Sequence, residues 1–313
     1  MKRRCVGHDY TRRGIYMLTM VVEGRSPLFG KVYGTSDAPR IELSELGCAV
    51  RDEWWNIPKY YPQVKIFELQ MMPDHLHGIL FVSEPLSGGV SRIVRGFKTG
   101  CGRAYRRLVA PLSVAAESQQ TMKESHPKHG LLFEPGFNDR ILTENEQLPI
   151  WRHYLRDNPR RLLMKREHPD LFRVQRGLTV NEHTFSAIGN RFLLEHPVRL
   201  QVQCSRRLTD DEIKAQVEYF LNQAREGAVL VSPAISKGEK AIMRSAFDEG
   251  FPLILLQENG FTDLAKPGGR RMDACARGQL LILAPWEHHN EHLTIRRNQC
   301  MALNDMARII CEK

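Results

Sequence analysis

The sequence predicts two mixed units, an α+β unit built on an antiparallel sheet and a following α/β unit built on a parallel sheet. Two observations predict this division. Helix-like and strand-like segments follow a different order in the two halves, and the excess of basic residues is confined to the first half. We place the first unit at residues 1–175 and the second at residues 183–313, with a linker at Val174–Glu182.

Periodicity defines the elements of the first unit, since apolar runs indicate strands and amphipathic runs indicate helices. The expected strands are Ile15–Val22, Val64–Met72, His75–Val82 and a last one within Leu131–Leu142. The expected helices are Ile41–Trp55, Val90–Val109 and Gln147–Asp157, with turns over Gly24–Pro39 and a loop over Pro111–Gly130. The third helix should stop at Asn158-Pro159, because a residue before proline avoids the helical region. This order suits a ferredoxin-like layout, with the helices on one face of the sheet.

In the second unit, apolar strands alternate with helices, which is typical of a parallel sheet covered on both faces. The expected strands are Val198–Cys204, Ala228–Val231, Pro252–Leu256 and Gln279–Ala284. The expected helices are Thr209–Gly227, Lys237–Gly250, Arg270–Arg277 and Arg297–Cys311. Thr209 followed by Glu212 forms a capping-box signature. We therefore expect a Rossmann-like α/β second domain.

The net charge of +9 is unevenly distributed along the chain. Residues 1–176 contain 28 Lys and Arg against 19 Asp and Glu, whereas residues 177–313 contain 17 of each class. A basic unit joined to a neutral one indicates that the first half meets a polyanion, although many basic proteins bind no nucleic acid.

The composition excludes several classes of protein. No run of 18 apolar residues is present, and no apolar segment follows the basic N-terminus as a signal peptide requires. The seven cysteines are scattered and never form a CxxC pair, which argues against a disulfide framework and a zinc ribbon. These features predict a cytoplasmic protein with no membrane partner.

Two histidines one residue apart stand at the start of a predicted strand. Side chains alternate along a strand, so His75 and His77 should point to the same face, with Leu76 buried behind them. Two imidazoles on one face can bind one cation, although a chain with 12 histidines contains some His-x-His pairs by chance. Imidazole ligands by themselves favour zinc or another transition ion.

A second pattern lies on the predicted helix that precedes Pro159. Tyr154 and Asn158 are four residues apart and share one helix face, where the Asn158 amide oxygen could complete a metal site beside the Tyr154 phenol. The same pattern suits a core tyrosine followed by a helix stop. Basic side chains nearby could be solvated or could follow a phosphate backbone. The residues that we expect to bind DNA are Arg92, Arg95, Lys98, Arg103, Arg106, Arg152, Arg156, Arg160 and Arg161.

These motifs resemble those of the single-tyrosine transposases of the HUH class, and most of all the REP-associated tyrosine transposases. The resemblance is carried by MPDHLHGILF, the basic helix, GFNDRIL and YLRDNP, in that order, from Ile15 to Phe172. It implies that His75, His77 and Asn158 bind a divalent metal, magnesium or manganese, and that Tyr154 is the nucleophile. It also implies a ferredoxin-like fold and a hairpin-forming, single-stranded DNA substrate.

The implied reaction is the nicking and rejoining of DNA. Tyr154 would attack phosphorus and expel a 3′-hydroxyl, and the resulting 5′-phosphotyrosine would keep the bond energy for rejoining. A phenol is weakly acidic, so we expect the metal, Arg152 or Arg156 to activate Tyr154. Two other interpretations stay open: a metal-dependent phosphoesterase that uses water, and a catalytically silent protein that binds DNA hairpins. A homodimer is one assembly compatible with the sequence.

Two other groups of histidines could bind a metal. His126 and His129 lie in the polar loop, and His288, His289 and His292 lie in a connection near the end of the chain. The simpler interpretation of both groups is a set of solvated side chains.

Three further features have weaker functional interpretations. Trp54 and Trp55 could stack on bases, but a pair at a helix end also suits the core. The strand–loop–helix start at Val229–Glu239 could offer backbone N–H groups to a phosphate, and a turn with a serine cap explains it equally well. Gly227–Trp286 is similar to the Rossmann-like domain of DNA-processing protein A, but the glycine-serine signature that opens that domain is not evident near Phe185–Asn190. We assign the second domain no ligand and no chemistry.

Overall fold

The computed structural model describes residues 7–108, 132–144, 146–291 and 294–312. The chain divides into two compact units, residues 1–164 and residues 165–313, and each unit combines strands with helices. The expected loop Pro111–Gly130 lies outside the described residues. Within the described ranges, no helix combines the length and the apolar composition needed to cross a membrane.

The first unit is built on a four-stranded antiparallel sheet. The strands of the unit, four of which form this sheet, are β1 (Gly14–Val21), β2 (Gly30–Thr35), β3 (Ala38–Leu43), β4 (Val64–Met72), β5 (His75–Val82) and β6 (Asn138–Leu142). Its helices are α1 (Glu45–Trp55), α2 (Ile57–Tyr60), α3 (Gly89–Leu108) and α4 (Gln147–Glu167). The sheet order is β4-β5-β1-β6, and β2 pairs with β3 in a separate hairpin. The predicted bounds of β4 and β5 are confirmed, as is the hairpin that joins them.

Two predictions for the residues between β1 and α1 are wrong. Strand β2 occupies part of Gly24–Pro39, which was expected to form turns, and β3 covers the start of the expected helix Ile41–Trp55. Helix α1 begins only after Ser44, whose hydroxyl accepts a hydrogen bond from the Gly47 backbone N–H. An N-cap of this kind defines the first turn of a helix, so the chain can stay extended up to it.

Strand β5 shows how the sheet is covered, because its side chains alternate between the two faces. Leu76, Leu80 and Val82 belong to a core with α1 and α3, whereas Ile79 packs with Leu155 of α4. Helices therefore lie on both faces, and the prediction that they lie on one face is wrong. The physical reason is that β5 also carries the apolar side chains Ile79 and Phe81 on the face opposite this core, and these need cover. We call the side covered by α4 the α4 face.

A β-bulge in β4 changes which side chains point towards α4. Val64 and Ile66 point into the core, but the register with β5 shifts between Ile66 and Glu68. Phe67 and Glu68 consequently both lie on the α4 face: Phe67 packs in the cluster of Leu155, and Glu68 contacts arginines of α4. One extra residue has this effect because side-chain direction in a strand alternates with a period of two.

Helix α4 continues through Pro159, so the predicted stop at Asn158-Pro159 is wrong. A proline inside a helix lacks the N–H that would donate to the carbonyl four residues earlier, which is that of Leu155. The Asn158 side chain compensates, since its Nδ2 donates to the carbonyl oxygens of Leu155 and Tyr154, both at 3.2 Å. Leu155 and Leu163, on either side of the proline, are buried and hold the helix on the sheet.

Gly78 in β5 lies against the core helix α1. A Cβ at Gly78 would overlap the indole ring of Trp54, which is 1% exposed; Trp54 is thus a core residue, whereas Trp55 is 50% exposed. We expect Gly78→Ala to lower the free energy of unfolding by about 1–3 kcal/mol or more, because overpacking forces side chains off their rotamers. Chemical denaturation measures this loss. Gly102→Ala, in an open position of α3, is the control, and an equal loss there would contradict the steric explanation.

The second unit is built on a six-stranded mixed sheet. Its strands are β7 (Gln175–Val180), β8 (His183–Gly189), β9 (Arg199–Gln201), β10 (Val229–Ser232), β11 (Leu253–Leu256) and β12 (Leu280–Ala284). Its helices are α5 (Pro169–Phe172), α6 (Asp210–Arg225), α7 (Lys237–Asp248), α8 (Arg270–Ala276) and α9 (Arg297–Cys311). The sheet order is β7-β8-β12-β11-β10-β9, and β9 to β12 are parallel. The expected parallel pairing and the capping box of Thr209 and Glu212 are confirmed.

The expected linker at Val174–Glu182 is wrong, because most of it forms strand β7. This strand pairs with β8, and its side chains Leu178 and Val180 pack against the core of the second sheet. Strand β8 in turn pairs antiparallel with β12. The segment QRGLTV has no continuous apolar run, so its role as an edge strand is set by its pairing with β8, which begins three residues later.

Candidate active site

A row of polar side chains crosses the α4 face of the first sheet. Gln70, His77, Thr19 and Asn138 are successive partners across β4, β5, β1 and β6. Residues paired across strands share a face of the sheet, so all four side chains point to the side that carries α4. We call these four residues the polar row. His75 lies two residues before His77 on the same strand and therefore on the same face.

The two histidines lie side by side. The ring centroids of His75 and His77 are 4.8 Å apart, and the ring planes form an angle of 84°. Nδ1 of His75 is 2.6 Å from Asp74 Oδ1, and Nδ1 of His77 is 2.8 Å from the Thr19 hydroxyl oxygen. When Nδ1–H donates in each bond, Nε2 is the nitrogen that binds a cation. A pair of imidazoles, each with an outer partner at Nδ1, fits a divalent metal.

Asp74 holds His75 and is itself held by Arg25, whose guanidinium donates to Oδ2 at 3.1 Å. Burial acts to raise the pKa of Asp74, but the hydrogen bonds and positive charges of His75 and Arg25 outweigh it and lower the pKa to about 2. The carboxylate is therefore ionised at neutral pH, where it accepts the hydrogen bond from His75.

Thr19 offers a direct test of the histidine pair. We expect Thr19→Val to weaken Mn²⁺ binding by roughly 10- to 100-fold, because loss of an outer hydrogen-bond partner leaves the His77 ring free to rotate and to change tautomer. Isothermal titration calorimetry with Mn²⁺ measures this affinity without any reaction. Thr35→Val, at an exposed position of β2, is the matched control. Equal Mn²⁺ affinity in Thr19→Val and the wild type would mean that His77 binds no metal.

Helix α4 is held on this face at two points. Leu155 packs with Ile79 of β5. Leu163 packs with Met72 of β4, which is the strand partner of His75. The helix therefore runs from the level of Ile79 towards the level of His75.

The two packing contacts of α4 also show which residues of α4 and of β5 lie halfway between them. The two packing contacts are eight residues apart in α4, which is about 12 Å of helix. They are four residues apart along β5, which is about 13 Å of strand. The midpoint of the strand segment is His77, and the midpoint of the helix segment lies next to Asn158. Asn158 is therefore level with His77.

The two sides of α4 face different strands. Successive side chains of a helix are rotated by about 100° about its axis. Tyr154 and Asn158 therefore lie on one side of the line along α4 that contacts the sheet, and Arg152 and Arg156 lie on the other side. Arg152 Nε and Arg156 donate to the same carboxylate oxygen of Glu68, each at 2.9 Å. Since Glu68 belongs to the outer strand β4, the side that carries Tyr154 and Asn158 faces β1 and β6.

This arrangement changes the roles that we expected for four arginines. The expectation that Arg152 or Arg156 activates Tyr154 does not agree with their position on the opposite side of α4. Arg160 is engaged by Asp157 at 2.6 Å. Arg161 was expected to bind DNA, but it is only 7% exposed. Three of these side chains remain accessible, and all four make contacts within the protein.

Tyr154 is positioned by two neighbours on α4. The guanidinium carbon of Arg161 is 5.0 Å from the centre of the Tyr154 ring, and the Trp151 ring meets that ring edge-on with 5.3 Å between centroids. These contacts restrict the orientation of the phenol and bring a shielded positive charge next to it. The spacing of seven residues between Tyr154 and Arg161 was the signal in the sequence, because it places both on one helix face.

The basic residues of α3 form a separate surface, because α3 packs in the core on the opposite face of the sheet. Exposed members of this predicted set are Arg92, Arg95, Arg103 and Arg106. Lys98 instead donates to the carbonyl oxygens of Glu134 and Gly136, at 2.7 and 2.5 Å. Between α3 and residues 132–137 lies a groove of about 510 Å³. The predicted DNA-binding residues therefore belong to two surfaces.

The remaining histidine candidates make local contacts where they are described. His289 lies 2.8 Å from Glu258, whose hydrogen bond raises the pKa of His289. Nδ1 of His288 lies 3.2 Å from the Gly260 carbonyl oxygen. Outside the described residues lie His126, His129 and His292.

The loop between β10 and α7 is a capped turn. Glu239 is 2% exposed and accepts hydrogen bonds from the backbone N–H groups of Cys204, Ile235 and Ser236. A carboxylate thus occupies the donors that a phosphate would need. This explains the strand–loop–helix pattern without a ligand.

Acidic, histidine and cysteine side chains do not by themselves form a complete metal site among the described residues. In the part of the chain that the structure describes, no group of three or more such side chains could hold a metal ion. The His75 and His77 pair would therefore need other oxygen ligands, such as the Asn158 amide, water or a phosphate. Asn158 lies next to the midpoint of the α4 stretch between Leu155 and Leu163, the two residues that pack on this face.

Comparisons with other sequences give one partial match. No protein-family model matches the chain. Over 81 residues, 26% of this chain, it is 36% identical to an uncharacterised protein of Haemophilus influenzae. The matched stretch spans 43% of that relative's length.

Three solved structures are similar to parts of the chain. A candidate transposase of Deinococcus radiodurans is 17% identical, with 50% of this chain and 98% of that chain covered and a TM-score of 0.30. A REP-associated tyrosine transposase bound to a REP hairpin is 15% identical, with 50% and 72% covered and a TM-score of 0.32. DNA processing protein A of Helicobacter pylori, which binds single-stranded DNA, is 18% identical, with 41% and 57% covered and a TM-score of 0.31. These TM-scores are too low to establish a shared fold.

Proposed function

We propose that the first unit is a single-tyrosine transposase-like domain of the HUH class, which nicks single-stranded DNA and rejoins it through Tyr154. The observation that carries this proposal is the position of Tyr154 and Asn158 on the side of α4 that faces β1 and β6, with Asn158 level with His77. The order of the sheet strands, which is 2-3-1-4 along the chain, supports a ferredoxin-like fold for this unit. For the second unit, the four parallel strands support a Rossmann-like fold.

In the proposed reaction, the phenol oxygen of Tyr154 attacks the scissile phosphorus, and the bond between phosphorus and the 3′-oxygen breaks. The phenol loses one proton and the departing 3′-oxygen gains one. The products are a 5′-phosphotyrosine and a free 3′-hydroxyl. Attack by a 3′-hydroxyl on this linkage restores the phosphodiester and releases Tyr154, so rejoining requires no ATP.

His75, His77 and Asn158 are the residues that would hold a divalent cation, Mg²⁺ or Mn²⁺. When bound, the cation supplies charge stabilisation for the oxygens of the phosphate. Of the two ions, Mn²⁺ suits imidazole ligands better because it is a transition metal. Thr19 and Asp74 hold the two rings through Nδ1.

Other residues of the first unit position the nucleophile. Arg161 and Trp151 contact the Tyr154 ring, while Glu68 ties the far side of α4 to β4 through two charge-assisted hydrogen bonds. Together they fix the orientation of the phenol and the height of the helix above the sheet. This pre-organisation lowers the entropic cost of bringing the phenol to the phosphate.

Charge supports DNA as the substrate. All the excess positive charge lies in residues 1–176, and the exposed arginines of α3 add a second basic surface. Such surfaces attract phosphate backbones and do not by themselves select a sequence. We propose hairpin-forming single-stranded DNA as the substrate class.

The test is incubation with DNA hairpins that carry a 5′ or a 3′ label, in the presence of Mn²⁺. We expect the 3′-labelled part to remain on the protein, attached to Tyr154 in peptide mass spectrometry, and the 5′-labelled part to be released. Cleavage without an adduct would indicate a phosphoesterase that uses water. Bound but intact hairpins would indicate a silent DNA-binding protein.

A further inference from the structure

The polar row ends at the edge of the sheet with a side chain that the proposed reaction does not use. Strand β6 is the outer strand beyond β1, and its first residue, Asn138, is exposed on the α4 face. The next β6 side chain on this face, Arg140, is also exposed, but its guanidinium lies 4.4 Å from the centre of the Trp151 ring of α4. Arg140 is thus engaged by α4, and Asn138 lies exposed one step farther along the same face of β6.

We propose that Asn138 reads the unpaired base of a nucleotide next to the scissile phosphate, and that adenine is the base it favours. The inference rests on the proposed function, because it takes the phosphate to be bound beside His77. Two strand spacings separate Asn138 from His77 across Thr19, which is about 10 Å. A base attached to the neighbouring nucleotide spans that distance.

An asparagine amide suits this contact chemically. It presents a donor and an acceptor side by side, and adenine offers the matching acceptor and donor at N7 and N6. A single amide on an exposed strand edge can therefore select one base. The other members of the polar row are less suited, because Thr19 is engaged by His77 and the Gln70 amide donates to the Met71 carbonyl oxygen.

The backbone around Asn138 is fixed on both sides. Asn138 pairs with Thr19 in the sheet, and the segment before it is anchored by Lys98, which donates to the carbonyl oxygens of Glu134 and Gly136. The amide is thus presented from a rigid element. Specific recognition depends on such rigidity, because a mobile side chain would lose much of its contact energy in ordering.

The experiment compares hairpins that carry each of the four bases at the positions on either side of the cleavage point. We expect the wild type to prefer adenine at one of these positions. Asn138→Ala should lower kcat/KM for the adenine substrate by roughly 5- to 100-fold, the discrimination that one bidentate contact provides. The values for the other three bases should change little. The same base preference in Asn138→Ala and the wild type overturns the inference.

Two further variants separate base reading from a general loss of structure. Asn138→Asp should favour cytosine, because a carboxylate only accepts hydrogen bonds and cytosine presents a donor at N4. A misfolded protein does not gain a new preference. Thr143→Ala, at an exposed position just after β6, removes a polar side chain of similar size and should keep the wild-type preference.

Binding measurements distinguish failure of this inference from failure of the proposed function. Fluorescence anisotropy with the same hairpins measures base preference without cleavage. If the wild type forms no adduct, the proposed function fails, and loss of adenine preference in the binding of Asn138→Ala still supports the inference. If the wild type forms the adduct but Asn138→Ala binds and cleaves all four hairpins as the wild type does, only the inference fails.

Discussion

Tyr154→Phe is expected to abolish the covalent protein–DNA adduct while leaving hairpin binding within about twofold of the wild type. The substitution removes one oxygen, and loss of a nucleophile lowers turnover by on the order of 10³-fold or more. The ring contacts with Arg161 and Trp151 remain, because both neighbours meet the ring and not the hydroxyl. Denaturing gels measure the adduct, and fluorescence anisotropy measures binding.

Tyr60→Phe is the matched control for this variant. Tyr60 is 74% exposed on α2, so the same loss of one hydroxyl should change neither cleavage nor binding. A Tyr154→Phe protein that still carried DNA on another residue would disprove the assignment of the nucleophile. Cleavage at an unchanged rate and without an adduct would favour water as the attacking group.

The second large effect concerns Asn158, which has two separable roles. Its amide nitrogen compensates for the N–H that Pro159 lacks, and its amide oxygen is the proposed metal ligand. Pro159→Ala restores a backbone donor to the Leu155 carbonyl and makes the first role unnecessary. Combining the two substitutions therefore isolates the second role.

We expect Asn158→Ala to lose cleavage by more than the roughly 10- to 100-fold that an outer partner of a metal ligand contributes. Its free energy of unfolding should fall by about 1–2 kcal/mol, because two hydrogen bonds are lost within α4. Pro159→Ala alone should cleave like the wild type. The double variant should recover stability in chemical denaturation but remain inactive.

Recovery of cleavage in the double variant would show that the only role of Asn158 is to stabilise α4 next to Pro159. Titration with Mn²⁺ gives an independent measurement, since the double variant should bind the ion more weakly than Pro159→Ala does. Equal affinities in these two proteins would remove Asn158 from the proposed ligands. The cation would then be bound by His75 and His77, and its other ligands would be oxygens of water and phosphate.

Local patterns in the sequence predicted the parts of the site that lie on single elements. Alternation along β5 predicted that His75 and His77 share a face, and a spacing of four residues predicted the same for Tyr154 and Asn158. The bounds of β4 and β5 followed from apolar runs between turn residues. Each of these features depends on neighbours within a few positions, which is the range over which periodicity is informative.

Features that depend on a particular partner, distant or nearby, were not predictable in this way. Glu68 is separated from Arg152 by 84 residues, and its direction towards α4 depends on a bulge that no local pattern indicates. Pro159 was interpreted as a helix stop because the sequence does not show that the Asn158 side chain bonds to the carbonyl oxygens of the preceding turn. Strand β7 is weakly apolar and is defined by its pairing with β8. In each case the missing information is the identity of the partner.

The bulge at Phe67 also divides β4 into two halves that are out of phase. Even-numbered residues point into the core before it, as Val64 and Ile66 do, and odd-numbered residues do so after it, as Leu69 and Met71 do. A deletion of Phe67 would leave a regular strand in which Val64, Ile66, Leu69 and Met71 still point into the core, because the bulge itself accommodates the extra residue. Such a deletion would remove the Phe67 ring, which packs in the cluster of Leu155, so the bulge adds one side chain to the α4 face without changing the core.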